Sequence, residues 1–159
     1  MKIGYLEGYK GGYRMGLDMM LYSVKKDRKS AKKVKELLDT NANKFPVYEV
    51  AYWRKFYTLH GLFVSLVQNG TDDCLFYQVT YNDVQSILNE MLSLQSSLVN
   101  ADIVKTNYGD YNFYADNFVC DDDMDMWLFI KVCQTIGVLR TLLNTFDFEK
   151  NYLFYCSSW

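Results

Sequence analysis

Val50-Ala-Tyr-Trp-Arg-Lys-Phe-Tyr-Thr-Leu-His-Gly-Leu-Phe-Val64, carried on to Gln68, is the segment that the remaining elements must pack around. Wound at about 100° per residue, it gathers Tyr52, Trp53, Phe56, Tyr57, Leu59, His60, Phe63, Val64, Leu66 and Val67 into one half-circle. Arg54, Lys55, Thr58, Gly61, Ser65 and Gln68 take the other half. The spacing predicts a helix over 47–68, clasped on two sides because its apolar arc is so wide. Asn69-Gly70 ends it, since glycine takes the left-handed conformation after a last turn without steric penalty. His60, the only histidine, falls inside the arc.

Downstream, Cys74 to Thr80 reads as a strand. Thr80-Tyr-Asn-Asp83 then supplies a helix start, with Thr80 or Asn82 as cap. Val84, Ile87, Leu88, Met91, Leu94, Leu98 and Val99 share one face, which predicts a helix over 83–99. A Tyr-, Asn- and Asp-rich segment follows, with a strand expected near Tyr111 to Val119. Asp121-Asp-Asp-Met-Asp125 opens a third long helix, over 122–144, its carboxylates at the positive end of the helix dipole. Leu128, Val132, Ile136, Leu139 and Leu142 form its main face. Met126, Trp127, Ile130 and Val138 form a second apolar set that needs the sheet, a loop or another molecule, which leaves room for a homodimer. Asn151 to Trp159 closes the chain as a strand.

Upstream, Leu17 to Val24 reads as a strand, and Ser30 caps a short helix to Asp39. Gly4-Tyr5, Gly8-Tyr9 and Gly12-Tyr13 repeat every fourth residue, and glycine's poor helix propensity makes them a turn-rich lead-in. Strands at both ends with helices between predict an α+β domain: a small, mainly antiparallel sheet with three long helices, over 47–68, 83–99 and 122–144.

At 159 residues the chain has the size of one domain with a real core. Half its residues are hydrophobic and 17% aromatic, which argues against disorder. No apolar run approaches a membrane span and no signal peptide is visible, so the expected compartment is the cytoplasm. The four cysteines, Cys74, Cys120, Cys133 and Cys156, form no C-x-x-C pair and read as small buried hydrophobes; no zinc site is expected. Eleven Lys and Arg face five Asp and Glu before Phe45, while six face fourteen from Phe45 onward, giving local balances of +6 and −8. That asymmetry reads first as two parts of one domain attracting each other. The basic run Lys25 to Lys35 lacks interleaved aromatics, which argues against direct nucleic-acid contact.

The chemistry-bearing candidates are few. His60 reads either as an acid/base or ligand-contacting imidazole in an aromatic pocket, or as a core histidine donating to a carbonyl or carboxylate. Arg54 and Lys55 beside Trp53 could hold a phosphate or a base by charge and stacking; alternatively they pair with Asp72 and Asp73 and fix the next turn. Asp121, Asp122, Asp123 and Asp125 lack calcium-loop spacing and read as a helix start, not as a metal site. Walker A, G-x-G-x-x-G, G-x-S-x-G and H-E-x-x-H patterns are all missing, so no cofactor is implied.

Met15-Gly-Leu-Asp-Met-Met-Leu21, Ala51-Tyr-Trp-Arg-Lys55, Leu59-His60 to Phe63-Val64, Asp72-Asp73-Cys74 and Ser157-Ser158-Trp159 occur in this order. Together they resemble a family of small proteins of tailed bacteriophages and prophages that has no assigned activity. Two departures reshape the middle of that pattern: Phe56-Tyr57 replaces Ala-Asn, and Leu62 replaces Trp. The resemblance starts at Met15, which makes residues 1–14 an N-terminal extension to a single domain over 15–159. It implies a phage accessory protein in the host cytoplasm. Three readings follow. One is non-catalytic binding to a host protein, for example as an anti-CRISPR-like inhibitor of a defence nuclease, through the acidic body or the Trp127 face. Another is a small-ligand or nucleotide site at Trp53, Arg54, Lys55 and His60. The last is an enzyme using His60 with Asp72 or Asp73.

Overall fold

Leu17-Asp-Met-Met-Leu-Tyr-Ser-Val24 is apolar at most positions, with no polar residue at every second one, and that suits a strand covered on both faces. In the computed structural model, which describes residues 16–41, 46–108 and 122–159, it forms β1 (Asp18–Lys25). The chain continues through α1 (Ala31–Asn41), β2 (Tyr48–Arg54), α2 (Tyr57–Leu66), β3 (Tyr77–Val79), α3 (Tyr81–Tyr108), α4 (Asp122–Thr145) and β4 (Asn151–Ser158). The strands form one four-stranded sheet in the order β2-β1-β4-β3, with antiparallel neighbours throughout. The fold is α+β, as the pattern of elements predicts.

Parity along β1 and β4 sorts the core into two layers. Leu17 just before β1, Met19 and Leu21 of β1, and Leu153 and Tyr155 of β4 face α2, α3 and α4. Leu59 and Phe63, Ile87 and Met91, and Val132 and Leu139 meet them from those helices. Met20, Tyr22 and Val24, with Phe154 and Cys156, face the other way, toward Val34 and Leu38 of α1. The strand that the sequence places last therefore lies beside the first, at the centre of the molecule.

Several predicted boundaries hold for the predicted reasons. Ser30 Oγ accepts from the Lys33 amide at 3.3 Å at the start of α1. Thr80 and Asp83 form a reciprocal cap: Thr80 Oγ1 accepts from the Asp83 amide at 3.2 Å, and Asp83 Oδ2 accepts from the Thr80 amide at 2.7 Å. The helix expected over 83–99 runs on to Tyr108, because Ala101 to Tyr108 contains neither Pro nor Gly to stop it.

The helix expected over 47–68 is overturned in its first half. Residues 48–54 are strand β2, paired with β1 from Asp18↔Arg54 to Ser23↔Tyr48, with an irregularity opposite Leu21 and Tyr22. Only 57–66 is helical. A run that is apolar at most positions matches a helical period and an alternating one equally well. What separates the two states here is Lys55, whose φ of 51° turns the chain between strand and helix. Asn69 and Gly70 do end the helix, at φ values of 53° and 80°.

Cys74 is exposed, which corrects the expectation that the cysteines are buried; Cys156 is buried and Cys133 half-buried. The Gly-Tyr repeat, Cys120, the strand expected near Tyr111 to Val119 and Asp121 lie outside the described residues. Among the described residues no helix is long and apolar enough to cross a membrane.

Burial pushes the Cys156 thiol from 9.0 up to about 12, with Cys74 and Asp39 adding to the effect. The fold therefore favours thiol over thiolate: its contribution is intact below pH 9.0 and is lost as the pH rises toward about 12. Urea titrations across the lower part of that window should show Cys156→Ala losing stability less steeply than the wild type. Parallel curves for the two proteins would refute this.

Candidate binding site

The site begins where β2 becomes α2. Lys55 N–H donates to the Leu17 carbonyl at 2.7 Å, which holds the end of β2 against β1. Lys131 of α4 reaches across and donates to the carbonyls of Arg54 and Lys55, at 3.2 and 3.0 Å. Burial lowers the pKa of that ammonium, and the charge of Lys55 lowers it further. Gly16 has a φ of 143°, a conformation that favours glycine; a Cβ there would stand 2.8 Å from Lys55 Cε, which a shift of that flexible side chain would relieve.

This fixed corner sets the rotation of α2, which turns Leu59, His60 and Phe63 inward. Phe63 stacks on the ring of Tyr155 at 3.9 Å with the planes 3° apart. One turn earlier, His60 Nδ1 lies 2.7 Å from Tyr155 Oη and Nε2 lies 3.1 Å from Asp72 Oδ1. Tyr155 is fully buried, and desolvation drives its pKa well above the ordinary phenol range, so it keeps its proton. With that hydroxyl donating to Nδ1, the ring proton sits on Nε2 and is donated to Asp72.

The loop after α2 delivers the carboxylate. Gly70 N–H donates to the Val64 carbonyl at 2.8 Å and closes the helix end. Asp73 Oδ1 accepts from the Leu75 amide at 3.0 Å, and its Oδ2 accepts from the Tyr77 hydroxyl at 2.9 Å. Burial and Asp73 both raise the pKa of Tyr77, so it remains a donor. With Asp73 anchored, Asp72 stands at the surface, its side chain 42% exposed.

Two aromatic side chains complete the surface above the imidazole. Trp159 meets the His60 ring at a centroid distance of 5.2 Å and an interplanar angle of 82°. Tyr57, in the first turn of α2, lies 6.2 Å from Trp159 with the planes 31° apart. Tyr57 is 56% and Trp159 55% exposed, so both residues stand at the surface.

The composite pocket expected from Trp53, Arg54, Lys55 and His60 does not form. Trp53 faces α4 and donates Nε1–H to Thr135 Oγ1 at 2.9 Å. Arg54 points to the opposite face of the sheet, where its Nε lies 3.8 Å from the buried Asp18, which also accepts from the Tyr52 hydroxyl. Neither Arg54 nor Lys55 pairs with Asp72 or Asp73; those carboxylates go to His60 and Tyr77. Strand geometry is the cause, since alternation sends Trp53 and Arg54 to opposite faces. His60 and Asp72 do meet, whereas Asp73 is turned away. Trp127 is 65% exposed on α4 beside Ile130, clear of this cluster. A recess of about 190 Å³ beside Tyr81, Phe148 and Tyr152 opens at the other end of β4 and contains none of these residues.

Tyr57, Tyr155 and Trp159 escape sequence reading as site residues. Only the pairing of β4 with β1 shows that Tyr155 shares a face with α2. Asp18 stands opposite both Arg54 and Ser158, so the ends of β2 and β4 meet at the start of β1. No family model, curated protein or solved structure matches the chain.

Tyr155→Phe keeps the stacked ring but leaves His60 Nδ1 buried without its donor. Urea denaturation should show a loss of about 1–3 kcal/mol. Asp72→Asn, whose amide oxygen still accepts from Nε2–H, should lose less. Equal losses would show that the two contacts are not distinct in kind.

Proposed function

We propose that the protein works by binding a macromolecular partner, as a phage accessory protein that engages a host protein in the host cytoplasm, with a defence nuclease as the partner class of first interest. The observation that carries this reading is the pair of exposed rings, Tyr57 and Trp159, seated on a fully hydrogen-bonded base. Exposed Trp and Tyr held rigidly at a surface are the composition of binding hot spots, since they bury much area at little loss of side-chain freedom.

An enzymatic reading finds less support. Both imidazole nitrogens are taken by the chain's own groups, and the hydroxyl on His60 is fully buried, where no substrate could meet it. The nucleotide reading depended on Trp53, Arg54 and Lys55 converging, and the sheet separates them.

The test is capture from host lysate by immobilised wild type and by a Tyr57→Ala/Trp159→Ala double variant, whose urea midpoint confirms folding. A host protein retained by the wild type should be lost by at least about tenfold in the variant, the loss expected of a hot-spot residue. A nucleotide panel read by thermal shift provides the opposing outcome. A nucleotide at a hundredfold over its Kd would stabilise the protein by about 2.7 kcal/mol, and such a shift would overturn the proposal.

A further inference from the structure

Resting on the binding reading, we infer that the Tyr57, Trp159 and Asp72 surface is a guanidinium site: it takes an arginine side chain projecting from the partner. Three groups connected through one imidazole define it. Trp159 contacts the His60 ring at 5.2 Å, Asp72 accepts from the same ring at 3.1 Å, and Tyr57 lies 6.2 Å from Trp159 on the helix that carries His60. Asp72 spends Oδ1 on His60, and its Oδ2 carries no hydrogen bond among the described residues. The carboxylate is therefore held through one oxygen by a buried donor while its side chain stays 42% exposed at the surface.

An exposed carboxylate and an exposed indole on one imidazole, with an exposed phenol next to the indole, are complementary to a planar cation. The ring faces attract the charge through their quadrupoles, and a guanidinium stacks flat on an indole while donating to a carboxylate oxygen at its edge. An ammonium is more strongly hydrated and cannot stack, so arginine fits better than lysine. No lysine or arginine among the described residues pairs with Asp72. Proteins that handle nucleic acid present such arginines to grip phosphates, and that makes them partners of the right chemistry.

The probes are acetyl-Gly-Arg-Gly-amide and its citrulline counterpart, which has a similar planar end without the charge. The reporter is the Trp159 indole N–H resonance, assigned by its absence in Trp159→Phe. The arginine peptide should shift that resonance saturably, and the citrulline peptide should bind about threefold more weakly or worse, as expected for an exposed cation–π contact. Asp72→Asn keeps an acceptor for His60 and the fold, yet should lose most of the preference for arginine over citrulline. Equal shifts from the two peptides, an unmoved Trp159 resonance, or a preference intact in Asp72→Asn would overturn the guanidinium site. The titration needs no host protein, so failure of lysate capture falls on the binding reading alone. Capture by Asp72→Asn at the wild-type level, with no arginine preference in the titration, would overturn this site and leave that reading standing.

Discussion

A buried imidazole has two nitrogens to satisfy, and here each is satisfied by a different element. Tyr155 supplies the donor from β4, and Asp72 supplies the acceptor from the loop after α2. Leaving either nitrogen unpaired at this depth would cost about 1–3 kcal/mol, so both elements must arrive together for the histidine to be tolerated. That requirement couples the last strand, the second helix and the loop between α2 and β3. It also explains why the corner at Lys55 is braced so heavily. Lys131 donates to two successive carbonyls there, and the Lys55 side chain lies against Gly16. If α2 rotated by one residue, about 100°, His60 would leave both partners at once.

The same network separates two kinds of histidine chemistry. A hydroxyl, an imidazole and a carboxylate in line resemble a proton relay, but the order of exposure is inverted. In a nucleophilic relay the hydroxyl meets substrate and the carboxylate is buried. Here the hydroxyl is fully buried and the carboxylate faces solvent. A relay arranged in this way offers a charge at the surface and not a nucleophile, which supports the proposed binding function.

How much of this was legible in the sequence depends on where packing overrides local pattern. The helices at 83–99 and 122–144 could be read because their apolar residues recur at helical spacing and their starts carry Thr80 with Asp83, or a run of aspartates. The strand Leu17 to Val24 could be read because its residues are apolar on both faces. Residues 47–54 could not, because Tyr, Val, Ala and Trp at nearly every position satisfy either period. Their strand state comes from the backbone of β1, to which nothing local in 47–54 points. His60 was rightly placed inside, beside an indole, yet the indole is Trp159 and not Trp53. Its partners lie 95 and 12 residues away, and only the second separation is short enough to suggest a contact. Tyr155 needed the order β2-β1-β4-β3, which rests on pairings across nearly the whole chain.

The placement of Trp159 carries the last step. A terminal aromatic on a free strand end would have to be ordered on binding, at a loss of about 0.5–1.5 kcal/mol for an immobilised side chain. Trp159 instead follows a β4 paired with β1 along its whole length, and its ring is already set against His60 and Tyr57. Its neighbour Asp72 is likewise fixed before any partner arrives, by an imidazole that cannot move without breaking its bond to Tyr155. The buried polar chain thus makes the surface rigid, and a rigid aromatic surface binds with less entropy to lose. On the proposed binding function, the histidine contributes to recognition without touching the partner, by holding in place Asp72 and Trp159.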